Sequence, residues 1–122
     1  MGLEARRYAR VSLKAFAAVG AAGKDDIYKE YNATCINISE GGCCLQLAAL
    51  LSGADIDFGV KAAIELSDGQ PRMVVNGRIA WLKELSADVL ERYLVGIEFQ
   101  DVNPQDTGRI SRFIQSQTDI KQ

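Results

Sequence analysis

From Val11 onward, apolar residues return at every second position in one short run after another. Val11, Leu13, Ala15, Ala17 and Val19 alternate with residues such as Ser12 and Lys14. This is the rhythm of a strand with one buried face, because successive side chains on an extended chain point to opposite sides. Ile27 to Ile38 follows, rich in β-formers including Tyr28, Tyr31, Thr34 and Ile36, and Cys43 to Leu47 resumes after the polar break Asn37-Ile38-Ser39-Glu40-Gly41-Gly42. Residues 27–47 therefore read as a hairpin. Val60, Ala62, Ile64 and Leu66 alternate in turn, Asp68-Gly69 marks a tight turn before Pro71, and Met73, Val75, Gly77, Ile79 and Trp81 form the next run. Tyr93, Val95, Ile97 and Phe99 form the last. About six strands at such short spacing predict a mostly β protein, an antiparallel barrel or sandwich rather than an α/β fold.

The C-terminal end has a different period. Asn103-Pro104 predicts a helix start, with asparagine at the cap, proline in the first turn and Asp106 where the helix dipole favours negative charge. Ile110, Phe113 and Ile114 then share one face, so a helix over 103–117 is expected to pack on the strands. Gly20, Gly23 and Lys24-Asp25-Asp26 read as a turn, and residues 48–59 fit a helical turn or a plain connector equally well. Ser86 to Arg92 is a polar excursion with room for one helical turn. With 122 residues the expected organisation is one domain, 1–122, with its barrel over 11–100.

Charge narrows the function. The chain carries a net −2, yet Arg6, Arg7, Arg10 and Lys14 against Glu4 give residues 1–14 a net +3, leaving −5 for the other 108. A short basic segment on an acidic body argues against a nucleic-acid polymer as partner, which calls for many distributed phosphate contacts, and leaves room for a small anion. With 0 histidines there is no Ser-His-Asp or Cys-His hydrolase, and neither a zinc-ligand set nor a GxxxxGK loop appears, so no enzyme is expected. Cys35, Cys43 and Cys44 form no CxxC pair and read as reduced structural thiols, Cys43 and Cys44 facing opposite ways on a strand. Asp25-Asp26 and Asp55-Asp57 read as solvated loop charges, and no metal is assigned. No apolar run is long enough to span a membrane, and the first residues lack the apolar core of a signal peptide; a cytoplasmic location is expected.

Two polar segments remain. Arg6-Arg7-Tyr8-Ala9-Arg10 crowds guanidiniums that repel one another unless they are solvated or share an anion. The functional reading is anion recognition, since a guanidinium can clamp phosphate or grip the O6 and N7 edge of guanine. In an extended segment Arg6 and Arg10 share a face about 13 Å apart, at roughly 3.3 Å per residue. Asn37 to Gly42 is ordinary turn chemistry, with Gly41 or Gly42 supplying positive φ. Its functional version has Asn37 and Ser39 offering hydrogen bonds to a base edge beside an open glycine surface. Trp81, Phe16, Phe58, Phe99 and Phe113 are expected in the core; Tyr8 could equally pack or stack on a base.

Together these segments resemble a known family. Arg6-x-x-x-Arg10 followed by Asn37-x-Ser39-x-x-Gly42 is similar to the paired RxxxR and [D/N]-x-S-x-x-G signature of the PilZ domain. Gly77-Arg78-Ile79-Ala80-Trp81 and Gly96-Ile97-Glu98-Phe99 look like its G-x-[VI]-x-W and G-I-x-F strands, so the resemblance spans about Arg6 to Phe113. It implies a six-stranded antiparallel β-barrel with a C-terminal α-helix, preceded by a flexible arm over 1–10. It also implies binding of the bacterial second messenger cyclic di-GMP. Arg6 and Arg10 would hold guanine edges and phosphates with Arg7 as helper, Asn37 and Ser39 would bond the guanine edge, and Gly41 and Gly42 would keep the surface open. Asn37 stands where many members have aspartate, which gives up a charge-assisted bond. Ala5, small and neutral before the arginines, leans toward one bound ligand rather than an intercalated pair. The implied role is relay of the second-messenger level to a protein partner controlling motility, pili, biofilm or exopolysaccharide; the alternative is a PilZ-like interaction module that acts without the nucleotide.

Overall fold

The computed structural model describes residues 10–22, 28–49 and 57–120. Arg6, Arg7, Ala5, Tyr8, the Lys24-Asp25-Asp26 turn and most of the 48–59 connector lie outside them. Six strands run in the order β1 (Val11–Ala22), β2 (Tyr28–Ile38), β3 (Gly42–Leu47), β4 (Gly59–Ile64), β5 (Met73–Glu84) and β6 (Tyr93–Gln100), followed by one helix, α1 (Pro104–Ile120). They close into a barrel in the order β1-β2-β3-β6-β5-β4, and every neighbouring pair is antiparallel. Of the two architectures the alternation permits, the barrel is the one formed. Gly20, read as part of a turn, instead lies inside β1, opposite Glu30 and Lys61. Ser86 to Arg92 forms turns and bends without a helix.

The inward positions are those the alternation marks. Ala17, Val19, Cys35, Leu45, Ala62, Ile64, Met73, Val75, Ile79, Val95 and Ile97 are buried and form one cluster. Ile110 and Ile114 of α1 join it, and Phe113 packs against it. Burial of an isoleucine side chain contributes about 1.5–3 kcal/mol, so the two hold the helix on the barrel more firmly than its cap does. The cap is present as expected: Asn103 Oδ1 accepts the Asp106 amide at 2.8 Å. A second fastening sits beside it. Arg109 donates through Nε and Nη2 to the two carboxylate oxygens of Asp68 at 2.6 and 2.9 Å, and through Nη2 to the Pro71 carbonyl at 2.6 Å, tying α1 to the β4–β5 turn.

Three register shifts interrupt the ladders, between Ser12 and Ala15 in β1, Cys35 and Asn37 in β2, and Ile79 and Trp81 in β5. Each inserts one residue and bends its strand locally. The third corrects an expectation. By parity Trp81 belongs inside with Ile79, but the extra residue Ala80 reverses its direction, and Trp81 is 39% exposed. Phe16 is also outside, 50% exposed. It sits at an even position of β1, so the alternation itself sends it outward, and the Arg72 guanidinium covers its ring at 5.6 Å. Phe58, Phe99 and Phe113 do pack against the core.

Candidate functional site

The outer wall over β3, β6 and β5 is hollowed because its outward positions are small. One row across the strands runs Asn37, Cys44, Gly96, Trp81, and the next runs Gly42, Glu98, Arg78. Glycine at 42 and 96 and a compact thiol at 44 leave a depression of about 420 Å³, with Arg10 at its edge. Trp81 forms one wall and lies against Gly96: a Cβ there would stand 2.1 Å from the indole Nε1. Glu98 forms the other.

The sequence-predicted residues divide among different places. Arg10, Ser39, Gly41 and Gly42 line the hollow. Asn37 is half-buried one strand away, in register with Cys44, and is not among the lining residues. Ser39 is 5% exposed, and its hydroxyl works inside the turn, accepting the Gly41 amide at 3.2 Å and facing the Gly42 carbonyl at 3.4 Å. The Ser39 amide donates to the same carbonyl at 2.8 Å. Neither Gly41 nor Gly42 has positive φ, contrary to expectation; Gly69 is the glycine with that conformation among the described residues. Gly42 is required for a different reason. A Cβ there would meet the Ile97 carbonyl oxygen of the neighbouring strand at 2.2 Å, so only glycine lets β3 and β6 approach this closely.

Cys44 reports the electrostatics of the floor. Its thiol is pushed up to about 11 by burial and by the nearby Cys35, and the positive charge of Arg10 pulls it partly back. Cys43, on the inner side, is also raised well above the usual thiol value, chiefly by its hydrogen bond with the Cys35 thiol and then by burial. Both stay protonated near neutral pH, so neither is an activated nucleophile. All three described cysteines are free and buried, as expected of structural thiols. Among the described residues no group of three or more potential ligands is arranged to hold a metal ion, and no described helix is long and apolar enough to cross a membrane.

Sequence reasoning missed Trp81 and Glu98 as site residues. The signal for Trp81 was available only as a coincidence, a tryptophan and a glycine that pair across strands once the bulge is placed. A larger groove, about 670 Å³, lies between α1 and the β4–β5 turn, but its inner guanidinium, Arg109, already donates to Asp68 and to the Pro71 carbonyl. The hollow, by contrast, has Arg10 at its edge and apolar ring surface on one side.

The family model for the PilZ domain matches residues 4–116. The chain belongs to the PilZ family. No curated protein matches it. Among solved structures, the Bacillus subtilis inhibitor of motility MotI/DgrA superposes with a TM-score of 0.77 at 15% identity, covering 96% of this chain and 52% of that one. The K. pneumonia protein MrkH in its c-di-GMP complex gives 0.75 at 21% identity, covering 96% and 55%. The PilZ domain of Escherichia coli YcgR with c-di-GMP gives 0.69 at 17%, covering 91% and 89%. The chain thus spans about half the length of the first two and nearly all of the isolated YcgR domain. These likenesses agree on the closed six-stranded barrel with its C-terminal helix.

Proposed function

We propose that this PilZ domain is a receptor for cyclic di-GMP that binds in the hollow on β3, β6 and β5. The observation that carries the reading is the position of Arg10: the second arginine of the RxxxR motif stands at the edge of a depression that also holds Ser39, Gly41 and Gly42 of the second motif. Two motifs about thirty residues apart in sequence share one surface. A cyclic dinucleotide offers what that surface lacks, anionic phosphates for guanidiniums and flat bases for Trp81 and the glycine floor. Arg6 would hold phosphate and guanine edges together with Arg10, with Arg7 as helper, and Asn37 would reach the ligand from the neighbouring strand. The solved complexes of MrkH and YcgR with c-di-GMP support the ligand.

The role is that of a non-enzymatic cytoplasmic relay, passing ligand occupancy to a protein partner in motility, pili, biofilm or exopolysaccharide control. Occupancy of the hollow by the anionic ligand is the change a partner would read. Isothermal titration with cyclic di-GMP is expected to give saturable heat in the micromolar range or tighter. Arg10→Ala is expected to lose at least about 30-fold in affinity, the scale for truncating one side of a charge-assisted contact. Its melting temperature should hold, because an exposed arginine contributes little to stability. Unfolding of the variant would instead make Arg10 structural, and absence of heat with folded wild-type protein would remove cyclic di-GMP as the ligand.

A further inference from the structure

We infer that Glu98 is the guanine-selecting residue of the hollow, accepting the N1–H and 2-amino donors of a bound base, and that Arg78 holds it in position for this. The inference rests on the reading of the hollow as the nucleotide site.

The hollow is poor in side-chain acceptors. Arg10 can only donate, the Ser39 hydroxyl is engaged within its own turn, and a thiol such as Cys44 accepts weakly. Asn37, the residue whose motif position often carries a carboxylate, is not among the lining residues. Glu98 is the one carboxylate that lines the hollow among the described residues, and its side chain is half exposed there.

Its orientation is built. Arg78, opposite it on β5, donates Nε to Glu98 Oε1 at 2.6 Å, while its Nη1 lies 3.2 Å from Asp57 Oδ1 on the far side. The Asp57 backbone is held, its amide donating to the Ile79 carbonyl at 2.7 Å and its φ of 69° being a left-handed conformation that aspartate tolerates better than most residues, while its carboxylate is 70% exposed. The hydrogen bond to Glu98, followed by the charges of Glu98 and Asp57, raises Arg78 above its usual range, so the guanidinium is a permanent cation. The contact with Glu98 runs through Oε1 alone, which leaves Oε2 and the second lone pair of Oε1 as acceptors.

This arrangement resolves an electrostatic conflict. A bare carboxylate beside two phosphates would oppose binding. With its charge offset by Arg78 it repels less, yet it still accepts hydrogen bonds. What it accepts decides selectivity. Guanine presents N1–H and a 2-amino group, both donors, on one edge; adenine presents an acceptor at N1 and no 2-amino group. A fixed carboxylate therefore favours guanine and leaves adenine facing an unpaired charge.

The test titrates wild-type and Glu98→Gln proteins with cyclic di-GMP, cyclic di-IMP, which lacks the 2-amino group, and cyclic di-AMP. Wild type is expected to prefer cyclic di-GMP over cyclic di-IMP and to bind cyclic di-AMP weakest. Glu98→Gln is expected to lose on the order of 10- to 100-fold for cyclic di-GMP, the range for a hydrogen-bonded charged partner, and to lose most of the preference over cyclic di-IMP. Because the cyclic di-IMP comparison needs no variant, it still decides if the substituted protein fails to fold: equal wild-type affinity for the two ligands overturns the assignment. So does a Glu98→Gln protein that binds cyclic di-GMP as tightly as wild type or tighter; the receptor reading then stands without Glu98. A wild-type protein that binds none of the three removes both.

Discussion

Arg109 and Arg78 each hold a carboxylate oxygen at 2.6 Å, and the two pairs do different things. In the clamp between α1 and the β4–β5 turn, the side chains of Arg109 and Asp68 are 14% and 24% exposed and a backbone carbonyl completes the set. At the rim of the hollow, Arg78 and Glu98 are 43% and 50% exposed, and the carboxylate keeps accepting capacity. Contact distance is the same in both. Partial burial and a two-oxygen grip, with the Gln70 amide also donating to Asp68, make the first a fastening, whereas exposure and a contact through one oxygen make the second a surface for something else.

That contrast breaks if changes at the hollow melt the protein or changes at the clamp abolish binding. Of the three changes that follow, the largest effect is expected at Gly96. Substitution by valine places a side chain where the Trp81 indole lies, displacing the ring and filling the floor; cyclic di-GMP affinity should fall roughly tenfold or more, the scale of one lost base-stacking contact, measured by titration. Since Trp81 is at the surface, circular dichroism should still show the barrel. Arg109→Ala is expected to do the reverse, costing about 1–2 kcal/mol and a few degrees of melting temperature while leaving ligand affinity unchanged. Equal loss of affinity in that variant would mean the helix end and the hollow are one unit.

The smallest effect lies in the acid limb. Arg109's hydrogen bond holds Asp68 below the usual carboxylate value of 3.8. The stabilisation from the pair is therefore fully present above about pH 4 and is lost as pH falls through the lower folded value. Melting curves over that range should drop more steeply for wild type than for Asp68→Asn, and identical slopes would show that other carboxylates govern acid unfolding.

Much of this molecule could be read from its residues, and the exceptions share a cause. The hairpin closed by Asn37 to Gly42, the last strand and the Asn103 cap all follow from local chemistry, which the chain expresses over a few residues. Trp81 and Phe16 do not. Alternation gives parity but cannot reveal a bulge, and one inserted residue at Ala80 moves the tryptophan from core to site. Phe16 shows the opposite error, hydrophobicity allowed to outweigh a parity that was correct. Glu98 and Cys44 became visible as neighbours only through the β3–β6 register, because nothing in a linear sequence tells which outward positions of distant strands stand side by side. The glycine at 42 was expected to open a surface and to bend a turn; strand proximity to Ile97 is what demands it.

The single tryptophan of the chain stands in the wall of the hollow. All indole emission from the protein therefore originates at that wall, and the molecule carries its own optical reporter with no label attached. A purine laid against the ring would quench it, while events at the α1 clamp would leave it dark to observation. The close seating of the indole on Gly96 thus makes one region of the barrel spectroscopically visible and the rest silent.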